Sequence, residues 1–188
     1  MKTLLFSLCA CCFLVAVLAG CGGNATAPVA DSTKVKTDSA VVMRPINSPY
    51  PVLYSSSFTM DEPKNAETIL ALWKAYDNGN LSAARDLLAD TVEVYLANGM
   101  KMRTSRDSTI AGIQGFRNMM TAVVDQVNAV MAVKSVDKNE HWVLVWGMEK
   151  DTHKNGKVDS VQLQETWRLD ANGKANLLYQ FAEKPGKM

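Results

Sequence analysis

The sequence predicts an α+β fold. Apolar stripes of helical spacing crowd the first half of residues 61–184, and only strand-like segments, separated by Asn-Gly turns, follow. The folded region opens at Asp61-Glu62-Pro63, an N-cap candidate followed by an acid and a proline suited to the first turn. Ala66, Ile69, Leu72, Trp73 and Tyr76 then share one helical face, and Asn78-Gly79-Asn80 stops the helix. A short helix over about 81–89 presents Ala84, Leu87 and Leu88. Thr91-Val92-Glu93-Val94-Tyr95-Leu96 alternates and is rich in strand formers; Asn98-Gly99 turns it into a return strand over about 100–104.

Asp107 or Ser108 caps a third predicted helix carrying Ile110, Ile113, Phe116, Met119, Met120 and Val123. Strands are expected over about 127–136, 141–152, 157–169 and 175–182. Between them lie Asp137-Lys138-Asn139, Lys154-Asn155-Gly156 and Ala171-Asn172-Gly173, all turn chemistry. Long hairpins that are apolar on both faces imply a strongly curved antiparallel sheet wrapped around the N-terminal helices.

The N-terminus predicts the compartment. Lys2 precedes an apolar run from Leu4 to Ala19, shorter than the roughly twenty residues that span a bilayer. The run ends in Leu18-Ala19-Gly20-Cys21, with Gly22-Gly23-Asn24 beyond it. This string resembles the lipobox of bacterial lipoproteins. The resemblance implies a signal peptide over 1–20 and a lipidated Cys21, anchored in the cell envelope at the outer membrane. Residues 21–60 are then a largely disordered tether: Ala, Ser, Thr, Lys and Asp dominate its first part, Pro45, Pro49 and Pro51 stiffen the rest, and Tyr50-Pro51-Val52-Leu53-Tyr54 is open to packing on the domain as an edge segment.

Composition excludes several chemistries. The four cysteines are Cys9, Cys11, Cys12 and Cys21, so a chain processed at Cys21 keeps no thiol free for catalysis, disulfides or zinc. Basic and acidic side chains nearly balance at a net charge of +1, which gives no basic face for nucleic acid. Phosphate loops, dinucleotide fingerprints and a Gly-x-Ser-x-Gly elbow are absent, and no cofactor is implied. His141 and His153 cannot build a metal triad. Asp151, His153 and Asp159 could meet at a hairpin end, yet 149–157 reads better as a solvated tip. Met100, Met102, Met119, Met120 and Met131 read as core filler, not soft metal ligands.

Four strings in order resemble the NTF2-like superfamily, in its ketosteroid isomerase and SnoaL-like branch. They are Tyr76-Asp77-Asn78-Gly79-Asn80-Leu81, Leu87-Leu88-Ala89-Asp90-Thr91-Val92-Glu93-Val94, Ile110-Ala111-Gly112-Ile113, and Thr166 through Lys174. The resemblance covers about residues 63–184 and implies a cone, in which a curved sheet wraps a long helix and leaves an apolar pocket. It also implies where an isomerase would carry its groups. The general-base position is Val94, which takes no proton, and the oxyanion-donating tyrosine position is Leu72. A second oxyanion donor, a protonated acid on the penultimate strand, matches Glu165. One position of three survives in kind, so isomerase chemistry is not expected.

Strand alternation then sketches the pocket. If Glu165 faces inward, so do Leu163 and Trp167; a count across the Asn155-Gly156 turn adds Trp146 and Met148, with Leu144 beside them. Val94 and Leu96, Leu72 and Leu178 complete an apolar lining with one carboxyl. The same residues would serve equally as a solid core, and a one-residue slip would turn Glu165 outward. Three functions stay open, in this order. They are a noncatalytic module for a small apolar ligand, an interaction protein that dimerises through its sheet, and a SnoaL-like isomerase, cyclase or dehydratase with Glu165 as lone acid/base.

Overall fold

The computed structural model describes residues 46–183. The signal-peptide region, Cys21 and the first part of the tether lie outside them. The described chain forms β1 (Phe58–Met60), α1 (Pro63–Asp77), a 3-10 segment (Leu81–Leu87), β2 (Leu88–Tyr95), β3 (Lys101–Ser105) and α2 (Arg106–Arg117). β4 (Met120–Ser135), β5 (Glu140–His153), β6 (Val158–Leu169) and β7 (Ala175–Glu183) follow. The strands make one seven-stranded sheet in the order β1-β4-β5-β6-β7-β2-β3. All pairs are antiparallel except β2 with β7, which run parallel. No described helix is long and apolar enough to cross a membrane.

Helix α1 forms because its apolar residues recur at helical spacing and Pro63 presets the first turn. Its buried face is Thr68, Ile69, Leu72, Trp73 and Ala75. The expected cap, Asp61, does other work. Its carboxylate accepts from Asn65 Nδ2 at 2.7 Å and pairs with His141 Nδ1 at 2.7 Å, tying the helix entry to β5. Burial raises this acid, but the bonds from His141, the Glu62 N–H and Asn65 outweigh it and hold it below the ordinary carboxylate value. At the other end Arg117 donates to the carbonyls of Tyr76 (2.8 Å), Asp77 (2.9 Å) and Met120 (3.3 Å). A buried guanidinium thereby satisfies orphan carbonyls where the helix dipole is negative.

Three hairpin loops share one design. Leu96 N–H bonds Met100 O, His153 N–H bonds Lys157 O and Asp170 N–H bonds Lys174 O, while Gly99, Gly156 and Gly173 close each loop at positive φ. Each is a three-residue loop whose last residue needs the left-handed region, hence glycine.

Several boundaries move from their sequence-based places. The third helix ends at Arg117, and Met120 and Val123 begin the long strand β4. The apolar run there carries β-branched valines, and strand pairing with β5 wins over helical periodicity. Its cap is Ser105, whose hydroxyl accepts from Ser108 N–H. The folded region also starts before residue 61: Phe58–Met60 pairs with Val133–Ser135, and Tyr54 meets Trp142 edge-on at 5.9 Å. The core lies between α1 and one face of the sheet, where Ile69, Leu88, Val92, Val143 and Val145 are essentially inaccessible.

Candidate functional site

Glu165 stands on β6 with its side chain on the helix-covered face, 5% exposed. Its Oε2 accepts from Trp73 Nε1 at 2.7 Å and from Trp167 Nε1 at 2.8 Å; its Oε1 accepts from Gln180 Nε2 at 2.9 Å. Burial pushes its pKa up, and the three donors oppose that shift. No cation pairs with it among the described residues. The place beside it is occupied by Trp73: a methyl added at Gly147 would stand 2.8 Å from the Trp73 ring and from Gln126 O. Glycine leaves the room that the indole takes against the backbone.

Leu72, Val94, Leu163, Trp167 and Leu178 join Trp73 in one buried apolar cluster, with Leu96 partly buried against it. Trp146 and Met148, expected in the same lining, are on the opposite face, as is Leu144. The pairing sets Val145 opposite Glu165 and Gly147 opposite Leu163, so Val143, Val145 and Gly147 share the inner face. The reason is the loop. Lys154-Asn155-Gly156 makes a three-residue connection, and the expected two-residue turn would have shifted the register by one and exchanged faces.

The inner face of β5 continues past Gly147 into residues that composition did not single out. Glu149 pairs with Asp125 and Asp151 with Val123, and Asp77 Oδ1 accepts the Asp125 N–H at 3.0 Å. Burial, then the neighbouring carboxylates, pushes Asp125 and Glu149 to about 8. The Tyr76 phenol is raised by burial and by Glu149, Asp151 and Asp125. The supposed solvated tip therefore begins only beyond Asp151, where His153 and Lys157 pair with Asp159 at 2.9 and 2.8 Å. The missed signal was the alternation Val143, Val145, Gly147, Glu149, Asp151 carried through the strand. No group of three or more His, Cys, Asp or Glu among the described residues is disposed to hold a metal.

The two best-defined clefts in the described surface are not lined by Glu165. One, of about 330 Å³, lies at the strand ends between Glu140, Arg168 and Asn176. Here Arg168 is already bound to Glu140 at 3.4 Å and Asn176 at 3.1 Å. The other, of about 450 Å³, crosses the convex face of the sheet. By register Trp146, Gln164 and Phe181 form one row across β5, β6 and β7, and Gln162 with Glu183 forms the next. Asn128 enters at the bulge in β4 between Val127 and Ala129. Phe181 is 59% exposed.

No protein-family model and no curated protein matches the chain. Solved structures do. A structure of AusH from Aspergillus nidulans is 11% identical over 69% of this chain and 90% of its own, at a TM-score of 0.54. An M. tuberculosis LEH-like epoxide hydrolase is 11% identical over 64% of this chain and 84% of its own, also at 0.54. An NTF2-like protein from Burkholderia pseudomallei K96243 is 18% identical over 63% and 90%, at 0.51. With the helix-lined curved sheet, these likenesses define the class: the described domain has the NTF2-like α+β fold. At such identities the likeness carries the fold alone.

Proposed function

We propose that this chain is a lipid-anchored NTF2-like domain of the bacterial cell envelope that binds a small ligand and performs no chemistry at Glu165. The observation that carries the reading is the saturation of that acid. Both its oxygens are engaged by N–H donors, two from tryptophans of the core, the side chain is buried, and neither of the two clefts above is lined by it. A general acid/base must reach the proton it moves, and Glu165 is instead spent on fixing α1 to β6. The ligand site assigned by sequence to the cone is better placed outside, in the cleft of Trp146 and Phe181, where aromatic surface stands open beside side-chain amides.

The anchor rests on Leu18-Ala19-Gly20-Cys21. Labelled palmitate should enter the wild-type chain and not Cys21→Ser; equal labelling of both refutes the anchor. Ligand binding is tested by a thermal-shift screen of small amphipathic compounds, in which a hit should be weakened by Trp146→Ala. A hit weakened by Leu72→Ala but indifferent to Trp146 would return the site to the cone. A second reading, self-association through the same face, is favoured by the exposure of Phe181 beside half-buried Trp146 and Met148. Sedimentation of a monomer at micromolar concentration removes it.

A further inference from the structure

We infer that the convex cleft is a saccharide site, taking an uncharged sugar ring of an envelope glycan; this rests on the binding reading above and names its ligand class. Trp146 and Phe181 sit at the two ends of one row, separated by Gln164 on the strand between them. Two strand spacings of about 4.8 Å put their backbones roughly 10 Å apart. Two aromatic side chains at that separation leave room for a ring over the central strand, and the C–H surfaces of a sugar suit aromatic contact.

Polar side chains stand among the apolar groups of this cleft, and no lysine or arginine lines it among the described residues. Gln164 lies between the two aromatics, Gln162 and the Glu183 carboxylate stand one row on, and Asn128 enters from β4 on the far side of Trp146. The Gln162, Gln164 and Glu183 side chains make no hydrogen bond to other described residues, so their donors and acceptors are open to a ligand. Amides that both donate and accept match hydroxyl groups, which do the same. An anionic ligand such as a phosphate or an acidic lipid headgroup would meet Glu183 and, among the described residues, no lysine or arginine, which disfavours it. A purely apolar ligand would bury the unpaired amides of Gln162 and Gln164. A neutral polyol with apolar faces satisfies both halves of the cleft.

The test is calorimetric titration of the full chain in phospholipid nanodiscs with cellohexaose, maltohexaose and chitohexaose, and with the neutral apolar probe 1-aminoanthracene. The expected result is binding of at least one oligosaccharide, weakened about tenfold by Trp146→Ala and again by Phe181→Ala. Gln164→Ala should weaken it less. Phe181 is exposed, so its variant folds if Trp146→Ala does not. No saccharide binding, with 1-aminoanthracene bound in a Trp146-dependent way, overturns the sugar assignment and leaves the binding reading standing. Indifference of every probe to both aromatic substitutions overturns both. A dimer that Trp146→Ala disperses, and that excludes the oligosaccharides, shows this face to be a contact between copies and overturns the assignment as well.

Discussion

The indole N–H of Trp73 reaches from α1 to Glu165 on β6, 2.7 Å away, and the same carboxylate oxygen takes a second indole from Trp167. One buried acid thus stitches the helix, its own strand and, through Gln180, the neighbouring strand β7. Four expectations follow from this arrangement and from its surroundings.

Glu165→Ala should destabilise the domain by about 2–4 kcal/mol, because buried N–H donors lose their acceptor and a cavity opens. Glu165→Gln keeps one carbonyl for the two indoles and should cost about half as much. Urea denaturation followed by tryptophan fluorescence measures both. Equal stability of wild type and Glu165→Ala would refute the structural role of this acid.

Gly147→Ala is expected to cost about 1–3 kcal/mol despite the small side chain added. The new methyl would press on the Trp73 ring and on Gln126 O, and backbone on one side leaves little room to yield. Trp73→Phe in the same background should recover part of the loss, which a double-mutant cycle reads directly.

Acidification from about pH 8 to about pH 5 should stabilise the fold. In the unfolded chain, carboxyls such as Asp125 and Glu149 titrate near 4. Their folded-state values are about 8, so the native state holds the protons more tightly. Their stabilisation is complete below the unfolded value and is lost as pH rises through the folded one. Asp61 and Asp137, held low by their partners, act in the opposite sense and withdraw stability only at more acid pH. Urea midpoints should therefore fall between about pH 5 and 8, and Asp125→Asn with Glu149→Gln should flatten the slope. A midpoint that climbs with pH over that window contradicts the buried placement.

Arg117→Met should loosen the end of α1, since three carbonyls lose a charged donor, at about 2–4 kcal/mol. Hydrogen exchange at the amides around Asn78 should accelerate more than at those of Ile69. Uniform acceleration would mean that the guanidinium supports the whole fold and not this corner.

Much of the fold was legible because two periodicities write it into the chain. Ile69, Leu72 and Trp73 announce α1, and the Gly99, Gly156 and Gly173 loops punctuate the hairpins. The functional face was harder to read. Whether Lys154-Asn155-Gly156 closes with two or three residues is decided by backbone hydrogen bonds that composition does not express, and that one residue moved Trp146 from the core face to the surface. Asp125 and Glu149 escaped notice because acids near a turn look solvated until a strand's alternation is followed to its end. Met120 to Val123 satisfies helical and strand patterns alike, and only pairing with β5 settles it.

The parallel pairing of β2 with β7 joins Leu88 to Ala175. In the sheet order, β2 and β3 touch the remaining strands only through β7, the last strand of the described chain. A ribosome delivers β7 after every other described strand, so the early hairpin has no sheet to join until β7 has emerged. Such a topology lengthens the average loop closed during folding and slows the search. The β2–β3 hairpin of such a nascent chain stays unpaired with the sheet for longest, and is the segment a chaperone would meet exposed.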